Sequence, residues 1–340
     1  VLSGVGRPQR GFASSSLNGG PADPRTPACG TLDMHRHLPP ISISAIAAAL
    51  LLCPLFLTSC SKEVEVVPDN QPPDHHGVPT VATQNYVNRL FIDLLGREPL
   101  DAEMDLEVAA LESADLSPAA REALVTKLMT STAWLEDDSS YTNKYHIRQI
   151  ELYRARCLEG VSDAYIDDAI GIAQQNALAD SLAGNTGGSP DLQRLLALRA
   201  ARIQYRDGLI GVDEVMRRMV FNPIYDQINM NSFNYVNATF DNLLFRYPTQ
   251  AEFDAGYTMV DGNTPALLFG QSGQNKGDYS GIITSNTEFW EGMVRWCYRT
   301  FMGREPSSYE TYGVLPGLLA DHDLQRVQRA ILVTDEYANL

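Results

Sequence analysis

The chain has 340 residues, of which 44% are hydrophobic, and its formal net charge is −16 at pH 7. This length and apolar content suffice to bury a core and to form more than one domain. Because so acidic a chain is repelled by nucleic acid and by anionic lipid surfaces, nucleic acid is excluded as an expected partner.

Residues 1–33 are rich in Gly, Pro, Ser and Arg and lack apolar periodicity, so we interpret them as upstream translation or a disordered tail. Met34 is followed by the basic stretch His35-Arg36-His37 and by an apolar run over 41–57. This order is typical of a secretory signal and predicts a signal peptide over 34–59. The alternative is an uncleaved membrane helix, although the run is at the short limit for a bilayer and contains Pro54.

The end of this segment, Leu57-Thr58-Ser59-Cys60, resembles the lipobox of bacterial lipoproteins. The resemblance implies cleavage before Cys60 and a lipid on its sulfur, which would attach the chain to a membrane. Cleavage removes four arginines and two aspartates, a net charge of +2, and leaves −18.

Residues 60–82 are polar and rich in proline, which predicts a flexible, extended tether. Within it, Ser61-Lys62-Glu63 resembles the signals that send lipoproteins of Bacteroidota to the cell exterior. The resemblance implies an outer-membrane lipoprotein on the cell surface, with a periplasm-facing position as the alternative. His75 and His76 have no further metal ligands nearby in the sequence, so we interpret them as part of a solvated linker.

From Asn85 onward one pattern occurs three times, and its copies begin at Asn85, Asn234 and Met293. Six apolar positions recur in each copy at helical spacing, which predicts a long amphipathic helix. These positions hold Tyr86, Val87, Leu90, Phe91, Leu94 and Leu95, then Tyr235, Val236, Thr239, Phe240, Leu243 and Leu244, then Met293, Val294, Cys297, Tyr298, Phe301 and Met302.

A turn with an arginine and a proline follows each predicted helix. The turn residues are Gly96, Arg97 and Pro99, then Arg246 and Pro248, then Gly303, Arg304 and Pro306. Glycine can end a helix in the left-handed conformation, so Phe245 at that place in the second copy predicts a different ending. The recurrent arginine predicts a structural role, in which it bonds the free carbonyls at the helix end.

Two further patterns predict where helices begin. Thr249 with Glu252 and Ser307 with Glu310 form capping boxes, and Asp101 is expected to act as the cap in the first copy. A cap residue with an aromatic residue three positions later predicts a helix whose aromatic faces the core. This pattern occurs at Ser131 and Trp134, Asn222 and Tyr225, Asn286 and Phe289, and Thr334 and Tyr337.

Residues 141–160, 161–183 and 190–208 are also predicted helices, and no stretch alternates like a strand. The sequence thus predicts an all-α array of helical hairpins. Its parts are repeat 1 over 83–137, a connecting region over 138–221, repeat 2 over 222–290 and repeat 3 over 291–340. At the end of repeat 3 we expect Tyr337 to pack against that repeat, in a slot matching Trp134, with 338–340 frayed.

The Leu-Leu-Gly-Arg-Glu-Pro unit, with its downstream cap and aromatic residue, resembles uncharacterised helical domains of exported bacterial proteins. Some of these occur in planctomycete-type secreted proteins and others beside surface-layer and adhesin modules. The resemblance covers 85–135 and 222–340. It implies an extracytoplasmic structural or binding module, without catalytic residues or a cofactor.

Few side chains in the sequence are candidates for catalysis. His146 and Cys157 lie on one predicted helix about 16 Å apart, too far for a nucleophilic pair, and His146 is expected to be at least half-exposed. Cys157 and Cys297 could pair in an oxidising compartment or remain free thiols in the core.

Two acidic groups, at 136–138 and at Asp163, Asp167 and Asp168, lack the alternating ligands of a calcium loop. The second group is interpreted as a solvated helix face. Residues 270–281 form a Gly-rich segment without the Gly-Lys-Ser/Thr end of a phosphate loop. They predict a flexible insertion, with a binding loop as the alternative.

These observations predict a non-enzymatic surface lipoprotein that acts as a structural or binding module for a protein or glycan partner. The alternative is an enzyme, or an accessory subunit of an envelope enzyme or secretion complex, with a cleft between helices.

Overall fold

Helices form nearly all of the regular structure in the computed structural model, which describes residues 77–135, 139–185 and 189–340. These residues lie within one unit of the chain, Gln71–Leu340. The signal peptide, Cys60, His75, His76 and the acidic group at 136–138 lie outside the described residues. Among the described residues the all-α class is confirmed, with fifteen helices and one short hairpin.

The first half of the described chain contains α1 Thr80–Leu95, α2 Asp101–Glu112, α3 Pro118–Thr130, α4 Tyr141–Cys157, α5 Asp163–Leu182, α6 Pro190–Arg206, α7 Val212–Val220 and α8 Pro223–Asn229. The second half contains α9 Ser232–Leu244, α10 Gln250–Val260, β1 Ala266–Leu268, β2 Gln271–Gly273, α11 Lys276–Ser285, α12 Thr287–Met302, α13 Ser308–Asp321, α14 Leu324–Leu332 and α15 Asp335–Ala338.

Helices α1, α9 and α12 coincide with the three predicted long helices, and their apolar stripes face the core. All six predicted positions are buried in α1 and in α9, and five of six are buried in α12, where Met302 is partly exposed. Phe91 and Phe240 are fully buried and Tyr298 is 7% exposed. The helical period in the sequence therefore located the core face of each helix.

All three long helices end in the same left-handed conformation, with φ of 73° at Gly96, 57° at Phe245 and 67° at Gly303. The prediction of a different ending at Phe245 was wrong. A non-glycine residue costs about 1–2 kcal/mol in this conformation. The Phe245 ring lies between the guanidinium groups of Arg156 and Arg299, at 4.5 and 4.9 Å from its centroid, and these contacts offset part of that cost.

The capping boxes at Thr249 and Ser307 are confirmed, since each hydroxyl accepts from the backbone N–H three residues on and each glutamate bonds back to the cap. In the first copy Asp101 does not act as the cap. Leu100 occupies that position, and its N–H donates to Glu103 at 2.8 Å. The glutamate half of the box is thus enough to start α2.

The cap-and-aromatic pattern is confirmed at Asn222, Asn286 and Thr334, which begin helices that bury Tyr225, Phe289 and Tyr337. At Ser131 it is wrong, because Ser131 ends α3 and its carbonyl accepts from Thr142 at the start of α4. Trp134 is 76% exposed. The N–H and the carbonyl of Ser131 are already hydrogen-bonded to α3 and to α4, so this residue does not start a third helix.

The Gly-rich segment 270–281 consists largely of regular secondary structure and is not an irregular loop. Residues 266–273 form an antiparallel hairpin that turns at Phe269 and Gly270, and residues from Lys276 onward belong to α11. Gly273 packs so closely that an added Cβ would lie 2.9 Å from Ile282 and 3.0 Å from the sulfur of Met259. The hairpin therefore covers the space between α10 and α11, a contact that local sequence patterns do not show.

The end of the chain packs against repeat 3 as predicted, through α14 and through the bond from Arg304 to Glu336, and it packs against α1 as well. Tyr86 donates to the carbonyl of Leu332 at 3.0 Å, and Tyr337 donates to Asp93 at 2.8 Å. Arg89 bonds the carbonyls of Phe301 and Tyr337. Ala338 is buried, so the predicted fraying from 338 is wrong, and exposed Trp134 provides no matching slot for Tyr337.

Two predicted boundaries also move. Helix α1 begins at Thr80, so the last residues assigned to the tether are helical. Helix α12 begins at Thr287 and crosses the predicted boundary at 290, because the cap at Asn286 starts the long helix itself. Between these regions α5 packs chiefly on α6, and α6 packs on α4 and α7.

Candidate functional site

The three turn arginines share one hydrogen-bonding geometry. Arg97, Arg246 and Arg304 each form two bonds with the glutamate six residues on and one with the carbonyl of the next residue. The glutamates are Glu103, Glu252 and Glu310, which also close the capping boxes of the following helices. The prediction that these arginines bond the free carbonyls at the helix end was therefore wrong, because their partners are a glutamate and the carbonyl of the following residue.

A second acid contacts the arginine in two of the turns. Glu288 bonds Arg246 and Glu336 bonds Arg304, and each of these glutamates lies just after a cap that begins a later helix. In the first turn Tyr141 donates to Glu103 at 2.8 Å instead. Each turn thereby connects a long helix to the next helix and to a third one.

These contacts define the electrostatics of the turns. Hydrogen bonds from Arg246 and from Arg304 lower the pKa of Glu252 and of Glu310 to about 2, against opposing desolvation. Pro99, Pro248 and Pro306 lie partly buried between each arginine and the next cap, where they prevent the preceding helix from continuing. The predicted turn residues thus form structural junctions.

The end carbonyls of α9 are bonded by a residue that sequence reasoning did not select. Arg156 of α4 donates to the carbonyls of Asp241 and Asn242. Nothing in the local sequence pairs 156 with 241, because the contact joins the connecting region to repeat 2.

His146 is buried, at 5% exposed, and not half-exposed as predicted. Its ring packs edge-on against Tyr145 and Tyr205, and its Nδ1 contacts the carbonyl of Thr142 at 2.7 Å. Burial lowers the pKa of His146. The ring lines a surface cavity of about 490 Å³ that also includes His322.

The two cysteines of the described chain are buried free thiols. Burial raises the pKa of Cys157 to about 12 and raises that of Cys297 as well. Thiols in this state are protonated and unreactive at neutral pH. They serve the core as small apolar side chains.

The acidic group on α5 is divided between two surroundings. Asp163 pairs with Arg154 and Arg199, and Asp167 pairs with Arg199 at 2.7 Å, so these two are not simply solvated as predicted. Asp168 lines a groove instead. Across the described residues, no three His, Cys, Asp or Glu side chains gather to hold a metal ion.

Asp168 belongs to a groove of about 560 Å³ between α5, the start of α6 and the start of α8, which we call the α5 groove. Buried Ala173, Leu195 and Ile224 form its floor. Tyr165 and Ile172 stand at its side, 48% and 61% exposed. The remaining lining residues are Asp168, Ala169, Asn176, Asp180, Ser189, Pro190, Asp191, Pro223 and Gln227.

Helix periodicity explains why α5 provides one wall. Tyr165, Ala169, Ile172 and Asn176 recur at intervals of three and four residues and so lie on one face, next to the face whose Ile166 and Ile170 are buried. Sequence reasoning missed this groove. The sequence feature that could have indicated it is the apolar face of α5, which is wider than one neighbouring helix can bury.

A second, shallower groove lies on the outer face of α9. It is lined by Asn229, Phe233, Asn234, Asn237, Ala238, Asp241 and Tyr247. The repeated Asn-Tyr-Val-Asn motif thus points its Tyr and Val into the core and its asparagines outward. We regard the α5 groove as the candidate functional site, because it has a buried apolar floor.

The fold and this groove define an all-α protein in which one wall of a groove, formed by α5, exposes apolar side chains. The chain matches no protein-family model, no curated protein and no solved structure. Within the residues that the structure describes, no helix is long and apolar enough to cross a membrane.

Proposed function

We propose that this chain is a non-enzymatic, lipid-anchored protein of the bacterial envelope whose helical domain binds a partner in the α5 groove. The groove is the observation that carries the proposal. Ile172 and Tyr165 expose apolar surface beside a buried floor. A partner that covers these side chains removes that surface from water, which favours binding through the hydrophobic effect.

The anchoring part of the proposal is supported by the sequence. Leu57-Thr58-Ser59-Cys60 resembles a lipobox, and the polar, proline-rich residues 60–79 would provide reach between a lipid and the helical domain. Ser61-Lys62-Glu63 supports a position on the outer face of the outer membrane. A binding domain on such a tether meets partners at the cell surface.

Attachment is tested by Cys60→Ala in cells of the source organism. We expect the protein to move from the membrane fraction to a soluble or precursor form. Protease treatment of intact cells then separates the two faces, since only a surface protein is digested. Unchanged membrane attachment and mass in the variant would disprove the lipid anchor.

Binding is tested by affinity capture from detergent-solubilised membranes followed by mass spectrometry, with two matched variants. Ile172→Asp places a charge in the groove, whereas Leu178→Asp places one on another face of the same helix, at a side chain that is also 61% exposed. We expect the specific partner to be lost only with Ile172→Asp. If both variants retain the same partners as the wild type, the groove is not the binding site.

A further inference from the structure

The α5 groove has the length and floor of a helix-binding groove. Its wall on α5 runs from Tyr165 to Asp180, which at 1.5 Å per residue is about 22 Å, or four helical turns. Ala173 on the floor and Ala169 beside it have small side chains, so a partner backbone can approach α5 closely. Tyr165, Ile172 and Leu195 provide contacts for side chains at intervals of three and four residues.

The charges that line the groove have one sign. Asp168, Asp180 and Asp191 are its only ionisable side chains apart from the Tyr165 hydroxyl, and no lysine, arginine or histidine lines it. Asp191 is paired with Arg194. Asp168 and Asp180 form no ion pair with any residue in the described ranges, so their negative charge faces the groove uncompensated.

The end of α5 adds to this negative potential. Asp180 lies in the last turn of α5, where the helix dipole is itself negative, and that turn contains no basic residue. An acid at a helix C-terminus is unfavourable, and a cation brought by a partner would make the interaction at this end of the helix favourable. The groove therefore favours an occupant with positive charge.

We propose that the occupant of the α5 groove is a basic amphipathic helix of about four turns from another protein. This inference rests on the binding function proposed above and specifies its partner. The apolar stripe of the helix covers Ala169, Ile172 and Leu195. Its lysines or arginines meet Asp168 near one end of the groove and Asp180 near the other.

Two other occupants fit less well. A second copy related by two-fold symmetry would bring the same aspartates against each other, in a chain that already has a charge of −16. The segment 61–79 has Lys62 as its one lysine or arginine, four acidic residues and four prolines, so its sequence is not that of a basic amphipathic helix.

The test measures binding of two designed peptides of 18 residues to the purified protein by fluorescence anisotropy. Both carry leucine and alanine on one helical face, and the other face carries lysine in the first peptide and glutamate in the second. We expect only the lysine peptide to bind, with affinity that falls at least tenfold between 50 and 300 mM salt. Ile172→Asp should weaken it at least thirtyfold and Leu178→Asp less than twofold.

Charge placement is tested with Asp168→Asn and Asp180→Asn, each expected to weaken the lysine peptide about three- to tenfold. Asp167→Asn is the matched control, because it removes the same charge one residue away, from a side chain bonded to Arg199. We expect less than a twofold effect from it. Equal effects at 167 and 168 would show nonspecific attraction and overturn the proposal.

Three other outcomes would also overturn it. The lysine peptide fails to bind, the glutamate peptide binds equally well, or light scattering shows a dimer that Ile172→Asp dissociates, which would assign the groove to a second copy. If the lysine peptide does not bind but Ile172→Asp still removes the partner in the membrane capture, the proposed binding function is supported and the proposed basic helical occupant is wrong.

Discussion

Helices α12 and α5 are both long, yet they relate to the core in opposite ways. Helix α12 buries nine of its sixteen residues, whereas α5 buries three of its twenty, all within its first eleven positions. From Gln174 to Leu182 nearly every residue of α5 is exposed. Tertiary packing therefore determines α12, while the second half of α5 depends on the helix propensity of its Ala, Gln and Leu residues.

This difference separates a helix that holds the fold together from one that presents a surface. Helix α12 contacts α9, α13 and α14, and its Gly292 lies so close to α9 that no side chain fits. Helix α5 has one main neighbour, α6, and lines the groove on its other side. Substitutions that are matched between the two helices can test this distinction.

The largest difference is expected for aromatic truncation. Phe289→Ala in α12 removes a fully buried ring and should lower the free energy of unfolding by about 3–5 kcal/mol. Tyr165→Ala in α5 removes a ring that is 48% exposed and should cost less than about 1 kcal/mol. Urea unfolding followed by circular dichroism measures both, and equal losses would contradict the distinction.

Hydrogen exchange tests the same comparison without substitution. Amides in the middle of α12 should exchange only through global unfolding. Amides over 174–182 should exchange through local opening, at least about a hundredfold faster, because no buried side chain holds them. The groove hypothesis adds that the lysine peptide slows exchange over this part of α5 and leaves α12 unchanged.

Glycine-to-alanine substitutions in the two helices should change the free energy of unfolding in opposite directions. At Gly292 an added Cβ would lie 2.2 Å from the carbonyl oxygen of Leu243, so Gly292→Ala should force the helices apart and cost about 2–3 kcal/mol. At Gly171, within α5, nothing lies within 4 Å of the added Cβ. Gly171→Ala should raise stability by about 0.5–1 kcal/mol through helix propensity, and thermal unfolding distinguishes the two signs.

The smallest effect concerns the charged turn after α12. The folded pKa of Glu310 is about 2, below its ordinary value of 4.5, so the stabilisation is present above pH 4.5 and is lost as the pH falls through 2. Glu310→Gln should lower stability at pH 7 by less than about 1 kcal/mol, because the pair is partly exposed. The difference from the wild type should vanish near pH 2 in an acid titration of unfolding, and persistence there would exclude the ionic cause.

Sequence patterns located the elements whose signals are local. The stripe on α9, the boxes at Thr249 and Ser307 and the start at Asn222 depend on residues within one or two turns, and all of them were predicted. Prediction failed where a distant residue decides the outcome. Phe245 keeps its left-handed backbone with Arg156 and Arg299 packed on its ring, and neither is near it in sequence.

The candidate groove shows the same limit. Asp168 and Asp167 are adjacent and chemically identical, and the sequence grouped them with Asp163 as one acidic face. The fold separates them, since Arg199 of α6 reaches Asp167 and leaves Asp168 to the groove. Which aspartate remains unpaired depends on how α6 packs beside α5, and local periodicity carries no information on that packing.

The hydrogen bonds between α1 and the segment around Tyr337 have a consequence for folding during synthesis. Tyr86, Arg89 and Asp93 find partners about 245 residues later in the chain. Helical arrays with only neighbouring contacts can fold progressively as they emerge, but contacts of this separation close late. Helix α1 leaves the ribosome before the other described helices and is among the last to be fully paired, so its exposed apolar face is the segment that a chaperone would have to shield.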